Sequence, residues 1–185
     1  MSIGSVECVN TLYILFKYCK IILNKPIELI CPIDRHKMNN RSWYSFWHNV
    51  DDFDKLRTVF ETKFHEYMDG FEKMEKSDHI YNSSMFIMPR ELFLKYCKFI
   101  FSVLDEYIKL TGYETVEKCI QHVNENKNKY IKTVENNGYD LHYYTVEMQA
   151  RIIGYIAERA MNAFVMNGED SLEKNAMIID WKMLK

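Results

Sequence analysis

One stretch of the chain carries polar side chains at helical spacing, within a segment, 146–166, whose apolar residues follow the same period. Guanidinium groups bind phosphate and carboxylate groups, and a neighbouring carboxylate can accept a proton or hold an arginine in place. Two interpretations stay open: a polar row that faces a cleft, or an Arg–Glu pair on a solvated surface. Gly154 is expected to leave room for a close backbone or ligand. The polar residues are Arg151, Tyr155, Glu158 or Arg159, and Asn162.

A D-x-D pattern occurs at Asp52-Phe53-Asp54. Paired carboxylates at the end of a buried strand can hold a divalent cation beside a diphosphate. Here, however, Asp51 and Asp52 lie at the expected N-cap of a predicted helix, Asp52–Phe71, where carboxylates favour the positive end of the helix dipole. We therefore interpret the pattern as a helix cap.

Aromatic residues are concentrated at 42–48, where four fall within seven positions. Such rings can stack on a sugar or a base. For Trp43 and Phe46 we favour the simpler interpretation, in which the rings anchor a loop to the core. A second polar and aromatic segment, Tyr139–Tyr144, contains Asp140 and is typical of loops that line clefts.

Several kinds of site are not encoded by local spacing. The six glycines are scattered and form no phosphate-binding loop. The six histidines and five cysteines show neither H-E-x-x-H nor C-x-x-C, so the sequence predicts no metal site. Dispersed cysteines of this kind favour reduced, buried thiols over a disulfide framework.

The elements that must position these residues form an α/β pattern. Its centre is Tyr81–Tyr107, in which a predicted strand, His79–Met88, turns at Pro89 into an amphipathic helix that stops at Gly112. Phe93 belongs to the predicted buried stripe of that helix. The other predicted strands are the buried Ile21–Leu23 and Ile27–Ile30 and a terminal edge strand at Ala176–Trp181. The other predicted helices are Val6–Tyr18, Asp52–Phe71 with a break near Gly70, one or two within 113–134, and Val146–Met166.

Composition indicates one globular domain over residues 1–185. Hydrophobic residues make up 48% and charged residues 27% of the chain, which is enough apolar surface for a sizeable core. The formal net charge of −2 gives no basic field, so we expect no nucleic-acid partner. The amino terminus lacks a secretory signal pattern and the apolar run at 12–23 contains lysines. We therefore expect a cytoplasmic protein without a transmembrane segment.

Two motifs resemble those of one protein family. In the family, the first motif reads N-M-F-I-M, a few residues, then F-x-x-Y-C-x-W-L-F-x-I-L-x-E-L. The similar residues of this chain are Ser84-Met85-Phe86-Ile87-Met88, Phe93, Tyr96-Cys97, Phe101, Leu104 and Glu106. The second is similar to R-x-x-G-[FY]-[IL]-[AS]-E-R-L and runs from Arg151 to Arg159. Weaker likeness extends to Tyr18–Leu23 (Y-D-I-I-L) and to His48 with Asp52–Leu56 (H-x-x-x-D-L). The family consists of glycosyltransferase-like domains of undefined function, found in bacterial capsular and lipopolysaccharide gene clusters and in some large DNA viruses.

The resemblance implies a partial GT-A-like nucleotide-sugar transferase domain, α/β in class and helix-rich, with a small mixed sheet. It implies hexosyl transfer from a nucleotide-sugar donor to a glycan acceptor, with a divalent metal as an option. An arginine would neutralise the leaving diphosphate, while Glu158 would act as general base or, in the interpretation we favour, orient an arginine. The implied catalytic residues are Glu158 and Arg151, and the implied substrate-binding residues are Asn82, Ser84, Tyr155, Arg159, His48 and Asp140.

The family pattern also includes an N-terminal part, with N-I-S-x-x-N and a His-Tyr-Arg-Arg segment, that this sequence lacks. We therefore expect residues 1–185 to correspond to the C-terminal portion of the family domain, with Ser84 in place of an asparagine and Phe99 in place of a tryptophan. Two hypotheses stay open. The chain is a glycosyltransferase domain, acting alone or with a separate chain that supplies the missing half, or it is a catalytically inactive remnant or interaction module.

Overall fold

The computed structural model describes residues 19–82, 85–130 and 145–180. The predicted helix Val6–Tyr18 and the predicted loop Tyr139–Tyr144 lie outside these residues. The candidate site residues Ser84 and Asp140 lie outside them as well.

A three-stranded mixed sheet has β1 (Ile21–Asn24) at its centre. On one side β4 (Phe86–Ile87) pairs with it antiparallel, and on the other β5 (Ala176–Ile179) pairs with it parallel. A second, antiparallel sheet consists of β2 (Ile27–Glu28) and β3 (His79–Ile80). The predicted terminal edge strand is therefore confirmed as β5.

The prediction of one strand over His79–Met88 is wrong, because the segment forms β3 and β4 in two different sheets. The backbone N–H of Tyr81 donates to Asn162 Oδ1 at 2.9 Å, and its carbonyl accepts from Asn162 Nδ2 at 3.0 Å. A side chain thus occupies the backbone groups that would otherwise join a strand ladder. Period-two alternation in the local sequence cannot reveal a competitor that lies 81 residues away.

The predicted buried strand at Ile27–Ile30 is only partly right. β1 has a strand on each side, and its first three residues have no exposed surface. β2 has a strand on one side only, so that Ile27 is 45% exposed and Glu28 is exposed as well.

Seven α-helices have both ends within the described residues. They are α1 (Asn40–Trp47), α2 (Val50–Lys63), α3 (Met68–Lys76), α4 (Arg90–Thr111), α5 (Val116–Glu125), α6 (Val146–Gln149) and α7 (Ile152–Met166). A 3-10 turn, His65–Tyr67, separates α2 from α3.

Several helix boundaries differ from prediction. The aromatic segment at 42–48 lies in a helix instead of a loop, because the side chain of Asn39 accepts from the backbone N–H of Ser42 at 2.8 Å and starts α1. Asn49 caps α2, so the prediction that Asp51 or Asp52 does so is wrong. The predicted helix Val146–Met166 is divided in two at 150–151.

The prediction for α4 is confirmed at both ends. Pro89 precedes it, and Gly112 follows it with a φ of 75°, in the left-handed region that ends helices. Its buried face is rotated from the predicted one, since Phe93 is 44% exposed whereas Phe99 is 5% exposed. None of the described helices combines the length and the apolar composition that a bilayer span requires.

Gly70 marks a close crossing of α3 and α7. A Cβ at this position would lie 2.8 Å from Asn167 Cα and still closer to the carbonyl oxygen of Ala163. The helix break predicted near Gly70 lies instead at Phe64, where α2 ends. At Gly154 the expected close backbone approach is not found, because a Cβ there would meet no described atom within 4 Å.

Candidate functional site

A cavity of about 260 Å³ opens where β2, β3, α1, α6 and α7 meet. Its wall combines aromatic and aliphatic side chains with a few convergent polar groups, as in known ligand sites. The apolar lining residues are Ile27, Leu29, Trp43, Trp47, Ile80 and Met148. The polar ones are His48, Asn82, Gln149, Tyr155, Glu158 and Arg159.

Helix α1 places two tryptophans in this wall. The side chain of Asn40 is fully buried and donates to the carbonyl oxygen of His79 at 3.1 Å, which holds α1 against β3. Trp43 and Trp47 lie one turn apart on α1, with ring centroids 5.4 Å from each other. The ligand-stacking interpretation of the aromatic segment thus fits the two tryptophans, whereas Phe46, at 8% exposed, packs into the core.

His48 follows α1 and is hydrogen-bonded to α6. Its Nδ1 lies 3.2 Å from Gln149 Oε1, and Gln149 Nε2 donates to the carbonyl oxygen of Trp47 at 3.0 Å. Because a glutamine oxygen can only accept, Nδ1 of His48 carries the ring proton and Nε2 keeps its lone pair.

Burial lowers the pKa of His48 to about 3, and the positive charge of Arg159 adds to the shift. The imidazole is therefore neutral near pH 7. A group with so low a pKa can accept a hydrogen bond from a substrate hydroxyl but is a weak general base. Burial also raises the pKa of Tyr155, whose hydroxyl donates to the carbonyl oxygen of Met148 at 3.0 Å and stays protonated.

Arg159 brings a buried positive charge to the cavity. The residue is 4% exposed, and its Cζ lies 5.3 Å from the ring centroid of Tyr44. Nη1 donates to Glu158 Oε2 at 3.2 Å, whereas Nε has no hydrogen-bond partner within the described part of the chain. Burial lowers the pKa of the guanidinium, but arginine stays protonated at neutral pH. A buried cation that lines a cavity is suited to bind an anionic group.

Most of the predicted site residues meet at this cavity, although they come from distant parts of the sequence. Those that line it are His48, Asn82, Tyr155, Glu158 and Arg159. Arg151 is exposed and lies beside them, with its Cζ 5.8 Å from the ring centroid of Tyr155. Of the two interpretations of the polar row, the cleft-facing one fits Glu158 and Arg159, whereas Asn162 is fully buried and binds Tyr81.

Sequence reasoning missed Gln149 and Met148. Both lie in α6, a helix of four residues that α7 follows after a two-residue break. A helix this short shows no periodic signal. From the sequence alone, its polar glutamine cannot be distinguished from an exposed surface residue. Only the three-dimensional contact between Gln149 and His48 reveals its role in the wall.

The two carboxylates of the D-x-D pattern have different surroundings. Asp52 is fully buried and accepts from Tyr130 Oη at 2.9 Å and Tyr113 Oη at 3.4 Å. Asp54 is at the surface, where Arg41 donates to it at 2.8 Å. The pattern is therefore neither a helix cap nor a shared cation site: one carboxylate organises the core and the other forms a surface ion pair.

The prediction of no metal site stays a prediction, but one group of potential ligand residues does lie close together in the structure. Cys31, Asp34 and His36 bring three potential ligand atoms within 4.8 Å of one another. The cluster lies outside the set of residues that line the cavity.

The fold is that of part of a glycosyltransferase. The chain is similar to the apo structure of the bifunctional glycosyltransferase WbbM, with a TM-score of 0.58 and 19% identity. The likeness covers 92% of this chain and 24% of that one, so the chain spans about a quarter of the length of that protein. The predicted fold class is thereby confirmed: a helix-rich, partial GT-A-like α/β fold with a small mixed sheet.

The chain belongs to the family of the domain of unknown function DUF4422, whose model matches residues 10–125. The matched region contains the first of the two motifs described above, through Glu106. The second motif, Arg151 to Arg159, lies beyond it. Comparison with curated proteins gives no match.

Proposed function

We propose that this chain is a glycosyltransferase domain that moves a hexosyl group from a nucleotide-sugar donor to a glycan acceptor, in polysaccharide or glycoconjugate biosynthesis. The observation that carries the proposal is the cavity, whose lining combines two tryptophans, Trp43 and Trp47, with the buried Arg159. Aromatic rings stack on sugars and bases, and a guanidinium binds phosphate oxygens. The glycosyltransferase fold of the chain agrees with both.

The size of the cavity restricts what it would hold. Its volume of about 260 Å³ is below the range of about 300–1,000 Å³ usual for complete ligand pockets. It suits one sugar ring or one base better than an entire nucleotide sugar. We therefore place one ring of the substrate against Trp43 and Trp47, and the diphosphate toward Arg159 and Arg151.

The polar residues divide into two roles under this proposal. Arg159 and Arg151 stabilise the charge that develops on the departing diphosphate. Glu158 orients Arg159, the partner that it contacts at 3.2 Å. His48, Asn82 and Tyr155 position sugar hydroxyls, with His48 Nε2 as an acceptor. A divalent metal ion could also bind the diphosphate. The D-x-D pair of this chain does not form a site for that ion.

The cellular setting is also part of the proposal. Nucleotide sugars would be met in the cytoplasm of a bacterium or of a virus-infected host. The dispersed cysteines of the sequence, without close pairing, favour a reducing compartment. Since the chain spans about a quarter of the solved glycosyltransferase, we include a second chain among the proposed partners, as a source of further donor-binding strands.

Isothermal titration of the purified chain with a panel of nucleotide sugars, with and without Mg²⁺ or Mn²⁺, tests the proposal. We expect saturable binding of at least one donor. Arg159→Met should abolish it. Because this change removes a cationic partner of the part-buried carboxylate of Glu158, the thermal transition should also fall, and binding is measured below that transition. Arg151→Ala should abolish transfer without loss of stability, because Arg151 is exposed.

Arg90→Met is the matched control, since Arg90 is an exposed arginine at the start of α4 and does not line the cavity. It should bind donors as the unmodified chain does. No binding by the chain under any condition would overturn the stand-alone form of the proposal and favour an inactive interaction module. A large loss of stability in Arg151→Ala would instead assign that residue a structural role.

A further inference from the structure

A tight hairpin between Leu29 and Met38 carries three metal-binding side chains at its turn. The backbone N–H of Cys31 donates to the carbonyl oxygen of His36 at 2.8 Å, and that of Met38 donates to Leu29 at 2.7 Å. Within the turn, Arg35 has a φ of 64°, in the left-handed region. This sharp reversal gathers Cys31, Asp34 and His36, with one ligand atom of each within 4.8 Å of the other two.

The three ligand types select a kind of metal. A thiolate, an imidazole and a carboxylate together match zinc, which takes sulfur, nitrogen and oxygen ligands in tetrahedral sites. Mg²⁺ and Ca²⁺ prefer oxygen ligands only. Cys31 is 5% exposed, whereas the side chains of Asp34 and His36 are 64% and 57% exposed. An ion would therefore reach the thiol from the solvent side, between the two exposed ligands.

We propose that Cys31, Asp34 and His36 bind a zinc ion, with water as the fourth ligand. Each side chain forms one bond to the metal, and the thiol proton of Cys31 is released to solvent. Asp34 Oδ1 and His36 Nδ1 are 2.5 Å apart. Two ligands of a tetrahedral zinc ion lie about 3.3 Å apart, so the two side chains would have to separate by less than about 1 Å. Both are exposed and free to make that adjustment.

The position of the hairpin gives the site a structural role. Its first residue, Leu29, lines the cavity, and the residue after it, Asn39, caps α1, the helix that bears Trp43 and Trp47. A bound ion would fix the chain between these two points. The site is separate from the proposed sugar-transfer chemistry, because none of its ligands lines the cavity.

The test uses the full chain after treatment with a chelator. Zn²⁺ is titrated by calorimetry, and Co²⁺ is added in parallel as an absorbing substitute that reports thiolate ligation by a charge-transfer band. The variants are Cys31→Ser and His36→Gln, with Asp34→Asn as a third that leaves the buried thiol in place. The controls are Cys97→Ser and His65→Gln, a cysteine and a histidine outside the cluster.

We expect one Zn²⁺ per chain, a rise in the melting temperature on binding, and a thiolate–cobalt band that Cys31→Ser removes. Loss of a residue that merely supports a ligand weakens metal affinity about 10- to 100-fold, so each of the three variants should weaken it at least about tenfold. The controls should match the unmodified chain. Unchanged affinity in Asp34→Asn and His36→Gln, or equal losses in the controls, would overturn the proposal. Nucleotide-sugar binding by the zinc-free chain would show that the zinc site and the proposed sugar transfer are independent of each other.

Discussion

The imidazole of His48 stacks on the phenol ring of Tyr155, with ring centroids 4.0 Å apart and planes inclined by 27°. The two residues belong to the chain after α1 and to α7, and Gln149 of α6 bonds to the same imidazole. Three elements that are separate in sequence are therefore joined at one ring. All three residues line the cavity.

Replacing His48 tests whether this ring contacts substrate or only supports the wall. His48→Phe keeps the stacking but leaves Gln149 Oε1 without its donor, which should cost about 1–3 kcal/mol of unfolding free energy. The affinity for the nucleotide sugar should fall at least about tenfold, since the Nε2 atom that accepts a hydrogen bond from it is lost. Calorimetric binding and thermal melting measure the two effects. His65→Phe, at an exposed position away from the cavity, should change neither; full affinity in His48→Phe would leave the ring a structural role alone.

The two aspartates of the D-x-D pattern allow the contribution of a buried carboxylate to stability to be compared with that of an exposed one. Asp52→Ala would leave the hydroxyls of Tyr130 and Tyr113 without their acceptor in the core, which should cost about 2–4 kcal/mol. Asp54→Ala removes only a surface ion pair with Arg41, worth at most about 1 kcal/mol. Urea unfolding measures both. Equal losses would contradict the different surroundings of the two carboxylates.

His79 gives stability a pH dependence. Its Nε2 lies 2.9 Å from Glu173 Oε1, a contact that raises the pKa of His79 above 6.5 and lowers that of Glu173 below 4.5. The histidine contribution is complete below pH 6.5 and is lost as pH rises through the raised pKa. The glutamate contribution is complete above pH 4.5 and is lost as pH falls through the lowered pKa. The pair should therefore stabilise the fold most between about pH 4.5 and 6.5.

Melting temperatures across pH 4 to 9 should consequently show a decline above pH 6.5 that His79→Gln removes. His65→Gln serves as the control, since that exposed side chain is not part of the pair. An unchanged slope in His79→Gln would mean that other groups produce the decline.

Two glycines on packed helices should respond in opposite ways to alanine. In α3, Gly70→Ala forces a methyl group against the backbone of α7, and overpacking of this kind costs about 1–3 kcal/mol. In α7, Gly154→Ala meets open space and should stabilise the helix by up to about 1 kcal/mol. Thermal unfolding of both variants measures the two changes in stability. Destabilisation by Gly154→Ala would indicate a contact beyond the described residues.

The sequence predicted the features that depend on hydrophobic periodicity and on residues that begin or end helices. Helix α4 carries an apolar stripe between Pro89 and Gly112, so both of its ends were foreseeable. The split of His79–Met88 was not, because the side chain that interrupts it comes from Asn162. The clustering of Cys31, Asp34 and His36 was not foreseen, because the turn that gathers them depends on the left-handed backbone of Arg35. The polar row on α7 was visible as a row, but only the fold shows that Arg159 is buried and lines the same cavity as the tryptophans.

The pairing of β1 with β5 also bears on the order in which the chain acquires its structure. Ile21 is paired with Ala176, 155 residues later, so this sheet closes a very long loop. Closing such a loop costs entropy before any hydrogen bond forms, and contacts of this range slow folding. Helices such as α2 and α4 can form while the chain is still being synthesised, whereas β1, the most deeply buried strand, must wait for β5 to leave the ribosome. Until then its three apolar residues have no parallel neighbour, which exposes this strand to misassociation.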